Sequence, residues 1–437
     1  MEKLIWNNLT SQQQIVALQR APRNSSPEIS ARVAEIIDQV RSQRDAAIRQ
    51  LTRLLDEVDL PVSQVAEHEA EDAICQLQPE VRQAIDQAYS NIKLFHEAGR
   101  PSNLSVETSA GVMCHARYTG INRVGLYAPG GSTPLPSSVL MMGVPAQIAG
   151  CREIVLCTSP GRNGAIDPAI AYAARLCGVT SVFQIGGAQA IAAMAFGTES
   201  VPRCDKLFGP GSVWVTEAKR QVAASHHAIT IDMVAGPSEV MVIADGQANA
   251  TFVASDMLAQ VEHGPDSQAI LLTDDSKLAS QVVTEVDRLS STLSRKDQIA
   301  SSLQYSRVIV VENLVEAVEL ANRYAAEHLI IQTADPESLS EEITAAGSVF
   351  LGAWTPEVLG DYCSGTNHVL PTCGLARSVN GLSTADFMKR ITIQNASREG
   401  FLGLATTARV LAECENLTAH ALAVTVRQDS LEAEARS

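Results

Sequence analysis

Four segments of this chain set a histidine beside acid or amide side chains. They are LAQVEHGPDS with Gln260 and His263, YAAEHLI with Glu327 and His328, GDYCSGTNHVLP with Asp361 and His368, and CENLTAH with Glu415 and His420. The whole chain has nine histidines, so these segments hold a large share of its imidazoles. Imidazole and carboxylate groups bind divalent ions and move protons near neutral pH. Together these residues could form one metal-and-proton-transfer site, provided a large scaffold gathers four distant stretches.

The spacing of each segment limits what it can do alone. Gln260 and His263 stand at i and i+3 on a helix that Gly264-Pro265 should end, which puts both on one face. A surface or capping role fits that pair equally well. Asp361 and His368 fall in a long Gly/Asn/Thr loop after the last strand of a repeating block, where functional residues are common. Glu327 and His328 are adjacent where a helix gives way to LIIQT. Neighbours on a helix point about 100° apart, so the two converge only if the helix breaks there. They also precede a strand, whereas ligands of open α/β sheets usually sit at strand carboxyl ends.

Three glycine turns each follow a strand and open a helix: Tyr127 to Gly131, Gly186 to Gln189, and Gly209 to Ser212. Glycine permits close backbone approach, and helix N-termini favour anions such as a pyrophosphate. Neither GxGxxG nor GxxxxGK[ST] occurs. As bare turns they are more often plain strand-to-helix connections than phosphate cradles.

The elements that must position these residues are legible in outline. Ser26-Pro27-Glu28 reads as a helix start, and Ile29, Val33, Ile36, Ile37 and Val40 follow with helical period. A second helix opens at Pro79-Glu80 and stops near Gly99. From Val124 onward RVGLYAP, EIVLCT, SVFQIGG, KLFGPG and AITIDMV alternate with helical segments. After Gly236-Pro237 the rhythm recurs in SEVMVIAD, QAILLTD, SRVIVVE, LIIQT and SVFLG. Such alternation implies βαβ units and parallel, doubly covered sheets, here as two similar α/β blocks. Past Thr384 the rhythm fades: ADFMKRITIQN is mixed, REGFLGLATTARVLAEC reads as a helix, and LTAHALAVTVRQ as a final strand. This last stretch is too short for a core of its own and should pack on something else, such as another subunit.

Composition narrows the class. At 437 residues, 46% hydrophobic and 19% charged, the chain reads as a globular protein of several domains. Lys and Arg number 33 against 49 Asp and Glu, a net charge of −16, which argues against general nucleic-acid binding. The nine cysteines form no CxxC pair and read as reduced, buried thiols rather than a disulfide frame. No apolar run reaches the roughly 18 residues of a membrane span, and MEKLIWNNLTSQQQ has no signal-peptide core, so a cytoplasmic location is expected.

The strings VGLYAPGG, GGAQAIAA, FGTESVP, FGPG, VTEAKRQV, AGPSEV, EHGPDSQ, EHLIIQT, GSVFLG, SGTNHVLPT and LTAH strongly resemble the histidinol dehydrogenase family, in order, from about residue 30 to 427. The resemblance implies oxidation of L-histidinol through the aldehyde to L-histidine, the last steps of histidine biosynthesis, with two NAD reduced in succession at a zinc site in a homodimer. It implies one zinc per subunit held by Gln260, His263, Asp361 and His420, an N₂O₂ set that suits zinc. The substrate's imidazole and amine would complete that coordination. Glu327 and His328 match the proton-transfer residues, and Ser238, His368 and Glu415 match substrate contacts, joined by the zinc ligands and His328. Tyr127, Gln189 and Ser212 match NAD contacts. The chain departs from the family pattern at Ser212 (usually Asn), Ala325-Ala326 (often Gly-Pro), Val234 (Pro) and Cys363 (a small residue).

The fold implied is two incomplete Rossmann-like α/β domains with parallel-sheet cores, plus an N-terminal arm and a C-terminal tail exchanged in the homodimer. On that basis residues 1–24 form the arm, and 25–125 with 238–383 the first domain, carrying the catalytic and zinc residues. Residues 126–237 form the NAD-contacting domain and 384–437 the tail, which carries Glu415 and His420 into the partner's site. Other readings use the same residue types: a related dehydrogenase of another polar alcohol or diol, a zinc hydrolase, or a silent metal-binding paralogue. Ser238, His368 and Glu415 argue against the first, the dinucleotide-type architecture against the second, and the full set of proton-transfer groups against the third.

Overall fold

The computed structural model describes every residue except 23–25, 226–228, 234–235 and 437. Val234 and the ends of the AITIDMV strand therefore lie outside the described residues. The chain divides into two compact units, one of Met1–Gly99 with Ile121–Phe387 and one of Arg100–Gly120 with Met388–Ser437. A short strand β1 (Glu2–Ile5) precedes a run of helices, followed by the hairpin β2 (Leu104–Ser109) and β3 (Val112–Gly120). Next, β4 (Arg123–Ala128), β5 (Glu153–Thr158), β6 (Ser181–Gln184), β7 (Lys206–Phe208) and β8 (Thr230–Ile231) alternate with helices. The strands β9 (Glu239–Ala244), β10 (Gln268–Thr273), β11 (Arg307–Val310), β12 (His328–Gln332) and β13 (Ser348–Leu351) repeat that pattern. Finally β14 (Met388–Ala396) leads into helices Arg398–Cys414 and Thr418–Arg436.

Both sheets of the first unit are parallel and wound alike. Their orders are β6-β5-β4-β7-β8 and β1-β11-β10-β9-β12-β13. In each, the block's first strand lies centrally, the next two extend one way, and the last two extend the other. That reversal opens a crevice beside the central strand, between β4 and β7 in one sheet and between β9 and β12 in the other. The two-block, α/β, parallel-sheet expectation therefore holds.

The apolar runs explain why these sheets are covered on both faces. Every residue of β9 and β10 is buried. Alternate side chains go to opposite faces. Val240, Val242 and Leu271 pack with Val253, Met257 and Val282, whereas Met241, Ile243 and Leu272 pack with Trp6, Leu320 and Tyr324. Each such side chain contributes roughly 1.5–3 kcal/mol when removed from water, so a polar residue in either register would be costly. Helix Pro27–Gln43 starts as its sequence predicts, with the Ser26 hydroxyl accepting from Ile29 N–H at 3.3 Å. Its Val33, Ile36, Ile37 and Val40 join Phe183 and Ile191 in the core over the β4 sheet. The second expected helix spans Pro79–Ala98.

Some expectations fail. LTAHALAVTVRQ is not a strand but lies in helix Thr418–Arg436. The alternation in Ala421 to Val426 mimics period two, but neither Gly nor Pro interrupts these 19 residues, five of them Ala, and helix propensity prevails. The stretch after 388 does pack on something else, as expected: β14 pairs antiparallel with β3 over nine residues, making a β14-β3-β2 sheet within the second unit. The Ser397 N–H, at the start of the first of its two helices, donates to the Gly111 carbonyl at 2.8 Å. Of the nine free cysteines, Cys157, Cys177 and Cys204 are buried, whereas Cys75 and Cys414 are exposed. Among the described residues no helix is long and apolar enough to cross a membrane.

Candidate active site

The Glu327–His328 pair converges because its helix does break. Helix Leu314–Tyr324 ends at Ala325, whose backbone is left-handed (φ 57°, ψ 66°), and β12 begins at His328. This turns both side chains to one side, with Glu327 Oε2 3.7 Å from His328 Nδ1. Glu327 Oε2 also accepts from the Glu239 N–H at 3.0 Å. His328 Nε2 lies 3.2 Å from Asp361 Oδ1, and its Nδ1 lies 3.3 Å from the Glu239 carbonyl. Asp361 is on the short helix Glu357–Tyr362 rather than in the expected loop. His368 is in the loop beyond, its Nδ1 donating to the Asp361 carbonyl at 2.8 Å. A carbonyl can only accept, so Nε2 of a neutral His368 keeps its lone pair, 3.4 Å from Ser138 Oγ. Ser238 stands immediately before β9.

These groups cluster at the amino ends of β9 and β12, opposite to the usual carboxyl-end crevice. The position has an electrostatic consequence. Burial drives the Glu327 carboxyl up to about 7, against the pull of His328. Burial alone would lower His328, but the Glu327 charge and the Asp361 hydrogen bond outweigh it and raise the imidazole to about 10. Both ring nitrogens face acceptors, which is the geometry of an imidazolium. Burial lowers His368, so it is the neutral imidazole of the group.

Gln260 and His263 do not share a helix, because helix Ala250–Val261 ends between them. They are joined by a turn in which His263 N–H donates to the Gln260 carbonyl at 3.3 Å. The Gln260 amide is satisfied at both ends when its nitrogen donates to Glu357 Oε1 (2.9 Å) and its oxygen accepts from His328 Nδ1 (3.2 Å). His263 is solvent-exposed and within electrostatic reach of Asp361 and His328. Glu415 ends helix Arg398–Cys414 and His420 lies in the first turn of helix Thr418–Arg436, both exposed in the second unit.

The donor chemistry fits zinc: an amide oxygen, an imidazole and a carboxylate in the first unit, with a second imidazole on the second unit. Among the described residues no three His, Cys, Asp or Glu side chains are grouped to hold a metal by themselves. Of the ligands expected in the first unit, only His263 and Asp361 are of those types, Gln260 being an amide.

A cavity of about 390 Å³ opens at the carboxyl ends of the β4 sheet. Tyr127, Gln189 and Ser212 all line it, together with Asp56, Ser159 and Trp214. All three glycine turns reach this end of the sheet. The Tyr127 hydroxyl accepts from Gly187 N–H at 3.1 Å. A Cβ on Gly209 would run into the Tyr127 carbonyl, so only glycine permits that approach. Gly209 is clamped by a buried Lys219–Asp232 ion pair: Asp232 Oδ2 accepts from its N–H and Lys219 Nζ donates to its carbonyl, each at 2.8 Å. Gln189 is buried, and neither its amide nitrogen nor its amide oxygen has a partner among the described residues. A buried amide normally finds partners, so this wall fits a ligand with donors and acceptors of its own, as a dinucleotide has.

Sequence reasoning missed Glu357 and Glu239. Glu357 is buried, Oε2 has no partner among the described residues, and burial holds its carboxyl far above the usual range. Its i,i+4 spacing to Asp361 on a proline-started helix was the available signal. Glu239 directly follows Ser238, but nothing local marks it, since its partners come from distant segments.

Comparisons with known proteins agree on one family. The histidinol dehydrogenase profile matches residues 19–428. The chain is 51% identical over 427 residues to histidinol dehydrogenase of Xanthomonas campestris pv. campestris strain 8004, covering 98% of this chain and 99% of that protein. It is also 51% identical over 426 residues to a histidine biosynthesis bifunctional protein of Photorhabdus laumondii, covering 98% of this chain and 52% of that longer protein. The crystal structure of histidinol dehydrogenase from Elizabethkingia anophelis superposes with a TM-score of 0.95 at 42% identity, over 99% of each chain. A match of this extent, on a fold with the same parallel sheets, establishes that the chain belongs to the histidinol dehydrogenase family.

Proposed function

We propose that this chain oxidises L-histidinol through L-histidinaldehyde to L-histidine in histidine biosynthesis, as a homodimer with shared active sites. The observation that carries this reading is the meeting of Glu327, His328, Asp361, Gln260 and His368 at the amino ends of β9 and β12, in a chain of this family. Gln260, His263, Asp361 and a partner subunit's copy of residue 420 are the proposed zinc ligands. Bound zinc supplies a positive anchor for the substrate's imidazole and amine, and bound NAD accepts one hydride in each oxidation. Tyr127, Gln189 and Ser212 are the proposed contacts for NAD. The helix Val213–Ala224, opening at Ser212, offers unsatisfied N–H groups to a pyrophosphate.

The proton work falls to the chain's own side chains. His328 accepts the hydroxyl proton of histidinol at Nε2, which requires the imidazolium first to give up its proton and Nε2 to be free of Asp361. Recruiting Asp361 as a metal ligand would release that nitrogen. Glu327, with its carboxyl raised by burial to about 7, can take and hold a proton from water near neutral pH while the water oxygen adds to the aldehyde carbon. Ser238, His368 and Glu415 are the remaining proposed substrate contacts. Support for the homodimer comes from the second unit, whose helices expose Leu402, Val410, Leu411, Leu422 and Val426. The domain division proposed keeps residues 126–237 for NAD and 238–383 for catalysis; of the expected 25–125, helix Pro27–Gln43 packs on the β4 sheet and residues 100–120 group with 388–437.

The test separates the half-reactions. His328→Asn should slow histidinol oxidation by about 10²–10⁴-fold, and Glu327→Gln should slow oxidation of supplied histidinaldehyde more than that of the alcohol. Reduction of NAD, followed by absorbance, reads both. Equal losses in both steps for both variants would refute the division of roles. No NAD reduction by the parent enzyme with zinc and histidinol would refute the function.

A further inference from the structure

The Glu327 turn is held from an unexpected direction. Arg20, just after helix Ser11–Ala17, reaches across to the buried start of β9. Its Nε donates to Glu239 Oε1 at 2.6 Å and its Nη2 to Oε2 at 3.0 Å. The same Nη2 donates to the carbonyls of Tyr324 (2.7 Å) and Ala325 (3.3 Å), the two residues at the helix end just before Glu327. The guanidinium lies flat over the Tyr324 ring, 3.9 Å from its centroid. Tyr324 is fixed in turn by its hydroxyl, which donates to Gln268 Oε1 at 2.7 Å. One side chain therefore ties together the two backbone pieces that place the Glu327 carboxylate. One piece is the Ala325 turn that carries it, and the other is Glu239, whose N–H donates to Oε2.

We infer that Arg20 is a positioning residue for Glu327, holding its carboxylate in place for the aldehyde step of the reaction proposed above, on which this inference rests. A planar five-donor fork is what the geometry requires, because two carboxylate oxygens and two carbonyls are served from one plane. A lysine ammonium can neutralise Glu239 but cannot span all four acceptors. Arg20 touches no reacting atom in this arrangement and acts through the backbone it fastens.

The experiment compares Arg20→Ala, Arg20→Lys and Glu327→Gln in the full-length zinc enzyme. Readouts are kcat for histidinaldehyde and for histidinol, KM for NAD, melting temperature, and recovery on adding guanidinium ion well below denaturing concentration. Arg20→Ala should lower aldehyde kcat by about 10²-fold, the order expected for a catalytic group displaced by an ångström, with KM for NAD unchanged. Guanidinium ion, and not an equal concentration of sodium ion, should restore part of that loss. Arg20→Lys should fall between parent and Arg20→Ala. Should Arg20→Ala not fold, the decision passes to Arg20→Lys, since full aldehyde activity in a soluble Arg20→Lys enzyme overturns the inference. It is equally overturned if alcohol and aldehyde steps fall together with a rise in KM for NAD, or if guanidinium restores nothing. Failure of the underlying assignment looks different: Glu327→Gln would then oxidise the aldehyde normally. Failure of the Arg20 inference alone leaves Glu327→Gln impaired and Arg20→Ala normal.

Discussion

At Ala325 the backbone is left-handed, at φ 57°, where an L residue costs roughly 1–2 kcal/mol. Glycine would relieve that strain, but it brings about 0.5–1 kcal/mol of extra folding entropy and removes a buried methyl worth about 0.8 kcal/mol. The terms nearly cancel, so alanine is tolerated beside the proposed catalytic pair. Ala325→Gly should therefore change stability by less than about 1 kcal/mol, whereas the β-branched Ala325→Val should cost about 2 kcal/mol or more from strain and overpacking. Denaturant midpoints at constant slope measure both, and equal effects of Gly and Val would remove strain from the explanation. Ser212 is a second departure with a readable consequence. It caps helix Val213–Ala224 without a side-chain hydrogen bond and lines the proposed NAD cavity. Ser212→Asn adds a longer amide that can reach a cofactor oxygen, worth roughly 1 kcal/mol, so KM for NAD should fall about fivefold with zinc content unchanged. An unchanged or higher KM would mean that Ser212 does not face the cofactor or is already bridged by water.

Helices and strands were legible where their signal was local. The ten strands of the two parallel blocks sit in apolar runs, buried at every residue in β9, β10 and β12 and more open in β6, β8 and β13. The antiparallel sheet escaped notice because β2 is exposed at nearly every position and β14 carries Lys389, Arg390 and Asn395 outward, so neither forms an apolar run. Strand β1 pairs with β11 some three hundred residues away, a partner that no local pattern announces. The same division applies to the site. Its histidines and carboxylates were visible as types, while Glu357, Glu239 and Arg20 matter only through distant contacts. Helix Pro79–Ala98 supplies one more such contact: its buried His96 accepts at Nε2 from the Asn367 amide at 3.3 Å, beside His368. Burial lowers this imidazole to about 4, with Asp386 opposing, so it folds neutral. The unfolded chain binds a proton there from about pH 6.5 downward, so stability is present above 6.5 and is lost as pH falls towards 4. His96→Gln cannot titrate and should flatten that loss, measured as urea midpoints at pH 7 and pH 5. Identical slopes for parent and variant would show that His96 is not the group responsible.

Across the whole molecule the proposed ligand set is divided, with Gln260, His263 and Asp361 in the first unit and His420 in the second. The second unit has few buried side chains and many exposed aliphatic ones, as expected of a surface completed by another subunit. If His420 serves the partner's site, each site of the dimer combines His263 from one chain with His420 from the other. His263→Asn and His420→Asn homodimers should then both be nearly inactive, because every site lacks a ligand. A hybrid dimer of the two variants concentrates both defects in one site and leaves the other whole. Random subunit exchange makes half of the dimers hybrid, so a mixture of the two inactive enzymes should recover to roughly a quarter of parental activity under two-fold symmetry. Zinc content should rise in the same proportion, giving a readout independent of turnover. A site built within one chain allows no such recovery, since no pairing of the variants restores a complete set. An inactive, zinc-poor mixture with exchange confirmed by mass would therefore exclude the shared site.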